Sequence, residues 1–152
     1  MLFRSRYLTS AARSRQQVAH KLTAADIAPE TITEVLNRFE EVGLLDDQAF
    51  ADMLVRTRQQ ERGLARRGLA HELQRYGIEG ETAQQALAQI DDEAEVLAAR
   101  SLVERRLAGM SGLDHQRRRR RLAGLLGRRG YPPGVARRVI DEVLAEYGEA
   151  QD

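Results

Sequence analysis

The sequence contains no cysteine, no tryptophan and a single lysine. Without cysteine there is no disulfide framework, thiolate zinc site, iron–sulfur cluster or cysteine nucleophile, and the composition fits a reducing compartment, so a cytoplasmic location is expected. Aromatic residues make up 5% of the chain, too few for the aromatic and β-branched strands of a sandwich or barrel. No apolar run reaches the roughly 18 residues of a membrane span. The first residues, Met1 to Leu8, are charged and lack the apolar stretch of a secretory signal. Catalytic signatures are also scarce. There is no phosphate-binding G-x-x-x-x-G-K-[ST] and no G-x-G-x-x-G, His71-Glu72 lacks the second histidine of H-E-x-x-H, and no serine sits in a nucleophile elbow. No enzyme activity, cofactor or metal site is expected.

Hydrophobic residues form 42% of the 152, enough to bury a core. The formal net charge is only +1, but it is strongly segregated. Successive blocks 1–25, 26–55, 56–80, 81–104, 105–138 and 139–152 carry +5, −7, +3, −5, +10 and −5. Such alternation points to repetition, which a shift of 51 residues reveals. Ser14–Phe39 then aligns without a gap on Ala65–Ile90, matching Ala19/Ala70, His20/His71, Leu22/Leu73, Ile27/Ile78 and Leu36/Leu87 among others. A further shift of 53 brings Leu69, Leu73, Gly77 and Ile78 onto Leu122, Leu126, Gly130 and Tyr131.

Each copy reads as helices. Ile32, Val35, Leu36 and Phe39 form one apolar stripe, and Val135, Val139, Ile140, Val143, Leu144 and Tyr147 form another. Thr31 to Glu34 has capping-box spacing, and Pro29 and Pro132-Pro133 stand where helices start. Gly43 closes a helix and Asp46 caps the next, which would bury Phe50, Met53, Leu54 and Thr57. The equivalent helix of the second copy is expected from about Asp92 to Leu107, with Val96, Ala99, Val103 and Leu107 inward. The expected fold is all-α, three tandem three-helix repeats in an elongated, curved array. The divisions are an extension at 1–11, repeats at 12–60, 61–110 and 111–148, and a tail at 149–152.

The acidic pairs Asp46-Asp47 and Asp91-Asp92 lie at helix N-termini, where capping and the helix dipole account for them better than metal binding. His20 and His71 share a repeat position, which points to packing or surface rather than ligation. The arginines remain. Arg56, Arg58, Arg62, Arg66 and Arg67 surround Gly63, while Arg117, Arg118, Arg119, Arg120 and Arg121 run unbroken and Arg128 and Arg129 follow. Five consecutive arginines wrap round a helix, so some must face the chain's own acids. The rest suit contact with a polyanion or an acidic protein. Tyr76 and Tyr131 are the only aromatics in these basic segments, too few for base reading by stacking.

The segment Gly43-Leu44-Leu45-Asp46-Asp47-Gln48-Ala49-Phe50-Ala51, followed by Arg56-x-Arg58, Gly63 and Glu72-Leu73-x-x-x-Gly77-Ile78, resembles the bacterial RecX family. Gly130-Tyr131-Pro132 resembles that family's third-repeat R-G-Y signature. The resemblance spans roughly 12–147. It departs from the family pattern at Ala49, often basic there, at Gly63 to Arg66, where a second glycine and a proline are usual, and at Tyr76, where lysine is usual. What the resemblance implies is a non-enzymatic regulator that lies in the groove of the RecA–single-stranded-DNA filament; a monomer is expected. It would modulate, mostly inhibit, ATP hydrolysis, strand exchange and SOS coprotease activity. The twelve arginines named above are the expected contacts, with weak direct DNA binding and no membrane. The alternative is a helical protein that binds nucleic acid non-specifically without RecA.

Overall fold

Ser14 starts the first helix by a reciprocal capping box. Its Oγ accepts from the Gln17 amide at 3.2 Å, and Gln17 Oε1 accepts from the Ser14 amide at 2.9 Å. Helix α1 (Arg15–Ala24) follows. Helix α2 (Pro29–Glu41) places Pro29 at its first helical position, where the missing N–H is one the helix leaves unbonded anyway. Thr31 and Glu34 therefore fall inside the helix, and no side chain caps α2. The capping-box expectation at Thr31 is corrected: proline had already fixed the start two residues earlier.

Asp46 Oδ1 accepts from the Ala49 amide at 3.0 Å and caps α3 (Asp47–Arg62). There follow α4 (Arg66–Arg75), α5 (Gly80–Leu87), α6 (Asp92–Leu107), α7 (His115–Arg128) and α8 (Pro133–Gln151). Asp91 caps α6 through the Ala94 amide at 2.7 Å, and Asp114 caps α7 through the Arg117 amide at 2.8 Å. The computed structural model describes residues 12–151, among which these eight helices are the only regular elements. The all-α expectation stands, and α6 has the residues read from the sequence. The expected extension at 1–11 lies outside the described residues.

A single turn is repeated three times. Ile27 N bonds to Leu22 O at 3.2 Å, Ile78 N to Leu73 O at 2.9 Å, and Tyr131 N to Leu126 O at 3.0 Å. Each turn passes through a left-handed residue at the same repeat position, Asp26 (φ 61°), Gly77 (φ 77°) and Gly130 (φ 92°). This is the helix-ending motif that glycine serves best. Asp26 is the one non-glycine residue with positive φ among those described. Asp26→Gly is accordingly expected to raise stability by about 0.5–1 kcal/mol by relieving the Cβ; a lower urea midpoint for the variant would contradict this.

The helices contribute to two compact units, whose limits fall within α3, α4 and the last turn of α5. One comprises the described residues up to Val55 with Glu72–Ala86. It packs α1 on α2 around Val18, Leu22, Ile32, Leu36 and Leu45. There too the Phe50 ring meets Tyr76 edge-on, with centroids 5.3 Å apart. The other comprises Arg56–His71 with Leu87 onward. Its core joins α6, α7 and α8 through Leu102, Val103, Leu122, Leu126, Val139 and Ile140, with others. Each buried Leu or Ile of these stripes contributes about 1.5–3 kcal/mol. On α3 the buried face is Phe50, Ala51, Leu54 and Val55, whereas Met53 and Thr57 are half-buried. The stripe is thus turned by about one residue from the expected one, with Ala51 and Val55 in place of Met53 and Thr57.

Candidate functional site

All twelve arginines singled out from the sequence lie in the second unit, and the structure sorts them by partner. Arg66, at the start of α4, donates from Nε to Glu95 Oε2 at 2.7 Å and pairs through Nη2 with Asp92. Its amide also bonds to Glu95 Oε2 at 3.3 Å. Glu95 is 3% exposed, so this ion pair satisfies a carboxylate taken out of water. The hydrogen bonds to Asp92 and then Glu95 hold the Arg66 pKa above its ordinary value. Asp92, expected only to complement a helix dipole, is thereby one arm of a cross-helix clamp.

Arg129 serves the same seam from the other side. Its guanidinium donates to the Arg62 carbonyl, and its own carbonyl accepts from the Ala65 amide at 3.0 Å. Beside it Tyr131 Oη donates to the Gly63 carbonyl at 2.6 Å within the core. Backbone meets backbone where Gly68 approaches Gly130: a Cβ on Gly68 would lie 2.6 Å from the Arg129 carbonyl oxygen, and one on Gly130 would overlap the Gly68 nitrogen. The two basic clusters, more than sixty residues apart in sequence, are joined here.

Burial, and secondarily the charge of Glu95, pushes the Tyr131 phenol from its ordinary value near 10 up to about 12. Between those values the folded chain keeps a proton that the unfolded chain has lost. Stability from this group is full below about pH 10 and falls as pH rises toward 12. Tyr131→Phe should cost about 1–3 kcal/mol at neutral pH, leaving the Gly63 carbonyl unpaired, and should lose this alkaline slope. Urea melts between pH 9 and 12 check both; identical slopes in the two proteins would contradict the assignment.

On α7 the arginine run is divided round the helix. Arg117 pairs locally with Asp114 at 3.8 Å. Arg118 donates to the carbonyls of Met110 and Ser111, both at 3.0 Å, and lies 5.1 Å from the centre of the Tyr147 ring. Arg119 pairs with Asp141 of α8 and holds that carboxyl below its ordinary pKa. The acidic tail is used further by Arg100, which pairs with Glu146, with Glu104 at 3.0 Å and with Glu142 at 3.8 Å. Arg100, absent from the residues expected from the sequence, is an isolated base in an acidic block, and that isolation is the sequence signal of a pairing hub. On α3, Arg56 donates to Gln89 Oε1 at 3.2 Å, and Arg58 pairs with Glu61 at 3.7 Å.

Four of the expected residues, Arg67, Arg120, Arg121 and Arg128, are exposed and their guanidinium groups bind no described residue. Arg106, at the end of α6, has the same character and was not among the expected residues. It belonged to the same +10 block, but the repeat boundary set it apart from α7. Among the described residues no group of three or more His, Cys, Asp or Glu side chains is placed to hold a metal ion, and no helix is long and apolar enough to cross a membrane.

Repeated helical units with internally paired acids and an unpaired arginine face define an all-α protein of tandem three-helix domains. Comparison with known proteins makes this specific. Models of the first, second and third three-helix domains of RecX match residues 6–39, 46–87 and 93–140. The second spans α3 to α5 and the third begins within α6, so each opens on a long helix that the 51-residue register places last; a periodic chain admits either phase. The Regulatory protein RecX of Streptomyces coelicolor is 49% identical over 144 residues, covering 95% of this chain and 77% of that one. That of Thermobifida fusca is 44% identical over 147 residues, covering 97% and 80%. The crystal structure of RecX from Lactobacillus salivarius shares the fold, with a TM-score of 0.80 at 24% identity over 91% of this chain and 90% of that one. The chain belongs to the RecX family.

Proposed function

We propose that this protein binds the filament that RecA forms on single-stranded DNA and modulates it, chiefly by inhibiting ATP hydrolysis, strand exchange and SOS coprotease activity. Membership of a family of regulatory proteins supports the regulatory role. The observation that carries the interface is the set of exposed guanidiniums without an internal partner, Arg67, Arg120, Arg121 and Arg128. A planar fork of donors is suited to both phosphate and carboxylate, the two anions a nucleoprotein filament presents. Arg56, Arg58, Arg62 and Arg117 belong to the same unit and add further charge. Arg66, Arg118, Arg119 and Arg129 act through it by fixing the helices that carry it.

The test is a titration of the purified protein into RecA from the same organism with ATP and single-stranded DNA, following ATP hydrolysis. Hydrolysis should fall with a saturable dependence on the protein. Unchanged hydrolysis and strand exchange over a wide excess would reject the proposal. Tight binding to bare DNA at physiological salt with a steep salt dependence would favour the RecA-independent alternative.

A further inference from the structure

Arg106 from α6 and Arg120, Arg121 and Arg128 from α7 converge on one pocket of about 280 Å³, floored by Met110 and Leu125. All four guanidiniums lack a hydrogen-bonding or ionic partner among the described residues, and no carboxylate lines the pocket. The shape is supported from beneath. Arg118 holds the carbonyls of Met110 and Ser111, which fixes the loop between α6 and α7. Gly124 lies on the wall, and a Cβ there would sit 3.2 Å from Arg128 Nη1, so the absent side chain leaves room for that guanidinium over the helix.

We infer that this pocket is a binding site for a linked polyphosphate, the chemical class carried by a nucleoside triphosphate. Each guanidinium can meet one strand phosphate, but four positive charges around one small cavity exceed the single charge that each nucleotide of an extended backbone brings there. They are also poorly matched by a single carboxylate. A triphosphate concentrates several charges and many acceptor oxygens in one short segment, and each guanidinium can engage it with two parallel hydrogen bonds. The Met110 and Leu125 floor offers an apolar surface to whatever the polyphosphate is attached to. No carboxylate, histidine or hydroxyl lines the pocket, so the site supplies binding and no hydrolytic base. Occupancy cancels the charge of Arg120, Arg121 and Arg128 and therefore opposes any other anionic contact on that face. The inference goes beyond the filament reading and does not depend on it, because its test contains no RecA.

Isothermal titration calorimetry with inorganic tripolyphosphate at physiological salt provides that test, with orthophosphate and an oligothymidylate as the other titrants. One saturable site is expected, at least a hundredfold tighter for tripolyphosphate than for orthophosphate. Arg106→Ala and Arg128→Ala should each weaken it at least tenfold, with unchanged melting temperature, since both side chains are exposed. Absence of saturable binding, or equal binding by the variants, would overturn the inference. So would an oligothymidylate that binds through these arginines while tripolyphosphate does not, which would assign the pocket to a strand.

Discussion

Replacement of Gly130 by alanine is expected to cost more than about 3 kcal/mol, the largest effect of any single methyl group in this chain. Two penalties add. The residue has φ 92°, where a Cβ costs about 1–2 kcal/mol. The same Cβ would overlap the backbone nitrogen of Gly68, and backbone cannot move aside as a flexible side chain does. Relief requires the turn at 129–131 to part from the turn at 63–68. That separation breaks the Ala65–Arg129 backbone bond and the buried Tyr131–Gly63 bond, each loss leaving unpaired groups inside the protein. Gly43→Ala provides the control. It has a comparable φ of 78°, but nothing lies within 4 Å of where its Cβ would stand, so its cost should stay near the backbone penalty. Urea unfolding of the two variants checks this; equal losses would show that the seam contributes nothing beyond conformation.

The helices and their repetition were legible because they rest on local signals. Apolar residues at three- and four-residue spacing placed Leu22, Leu73 and Leu126 in equivalent buried positions, and Asp46, Asp91 and Pro29 marked helix starts by chemistry that acts within one turn. The misreading at Thr31 has the same origin, since two start signals lay within three residues and proline, which is covalently constrained, prevailed. The third member of the left-handed set was hidden because Asp26 breaks the run of glycines.

The division of labour among the arginines was not legible in the same way. Arg119 finds Asp141, Arg66 finds Glu95, and Arg129 finds a carbonyl 67 residues away. Each pairing depends on how helices remote in sequence pack, which no spacing rule conveys. Charge segregation did show that internal pairing must occur, and the acids of α8 supply it. Only the packed structure distinguishes Arg118, spent on holding a loop, from Arg120 and Arg121, which face solvent two and three residues later.

That distinction makes the second large effect specific. Arg120→Glu, Arg121→Glu and Arg128→Glu together should weaken binding to the RecA–single-stranded-DNA filament by on the order of a hundredfold, about 2.7 kcal/mol. Steered encounter and charge complementarity would both be reversed on one face. Folding should be spared, because these guanidiniums bind no described residue. Arg66 is unsuitable for such a test, since its loss would strand the buried Glu95 carboxylate. The most direct measurement is the equilibrium affinity of the wild-type protein and of this triple variant for immobilised filament, with melting temperatures taken alongside. Unchanged melting and an affinity lowered about a hundredfold are expected; equal affinity of two equally stable proteins would contradict a filament contact through these arginines.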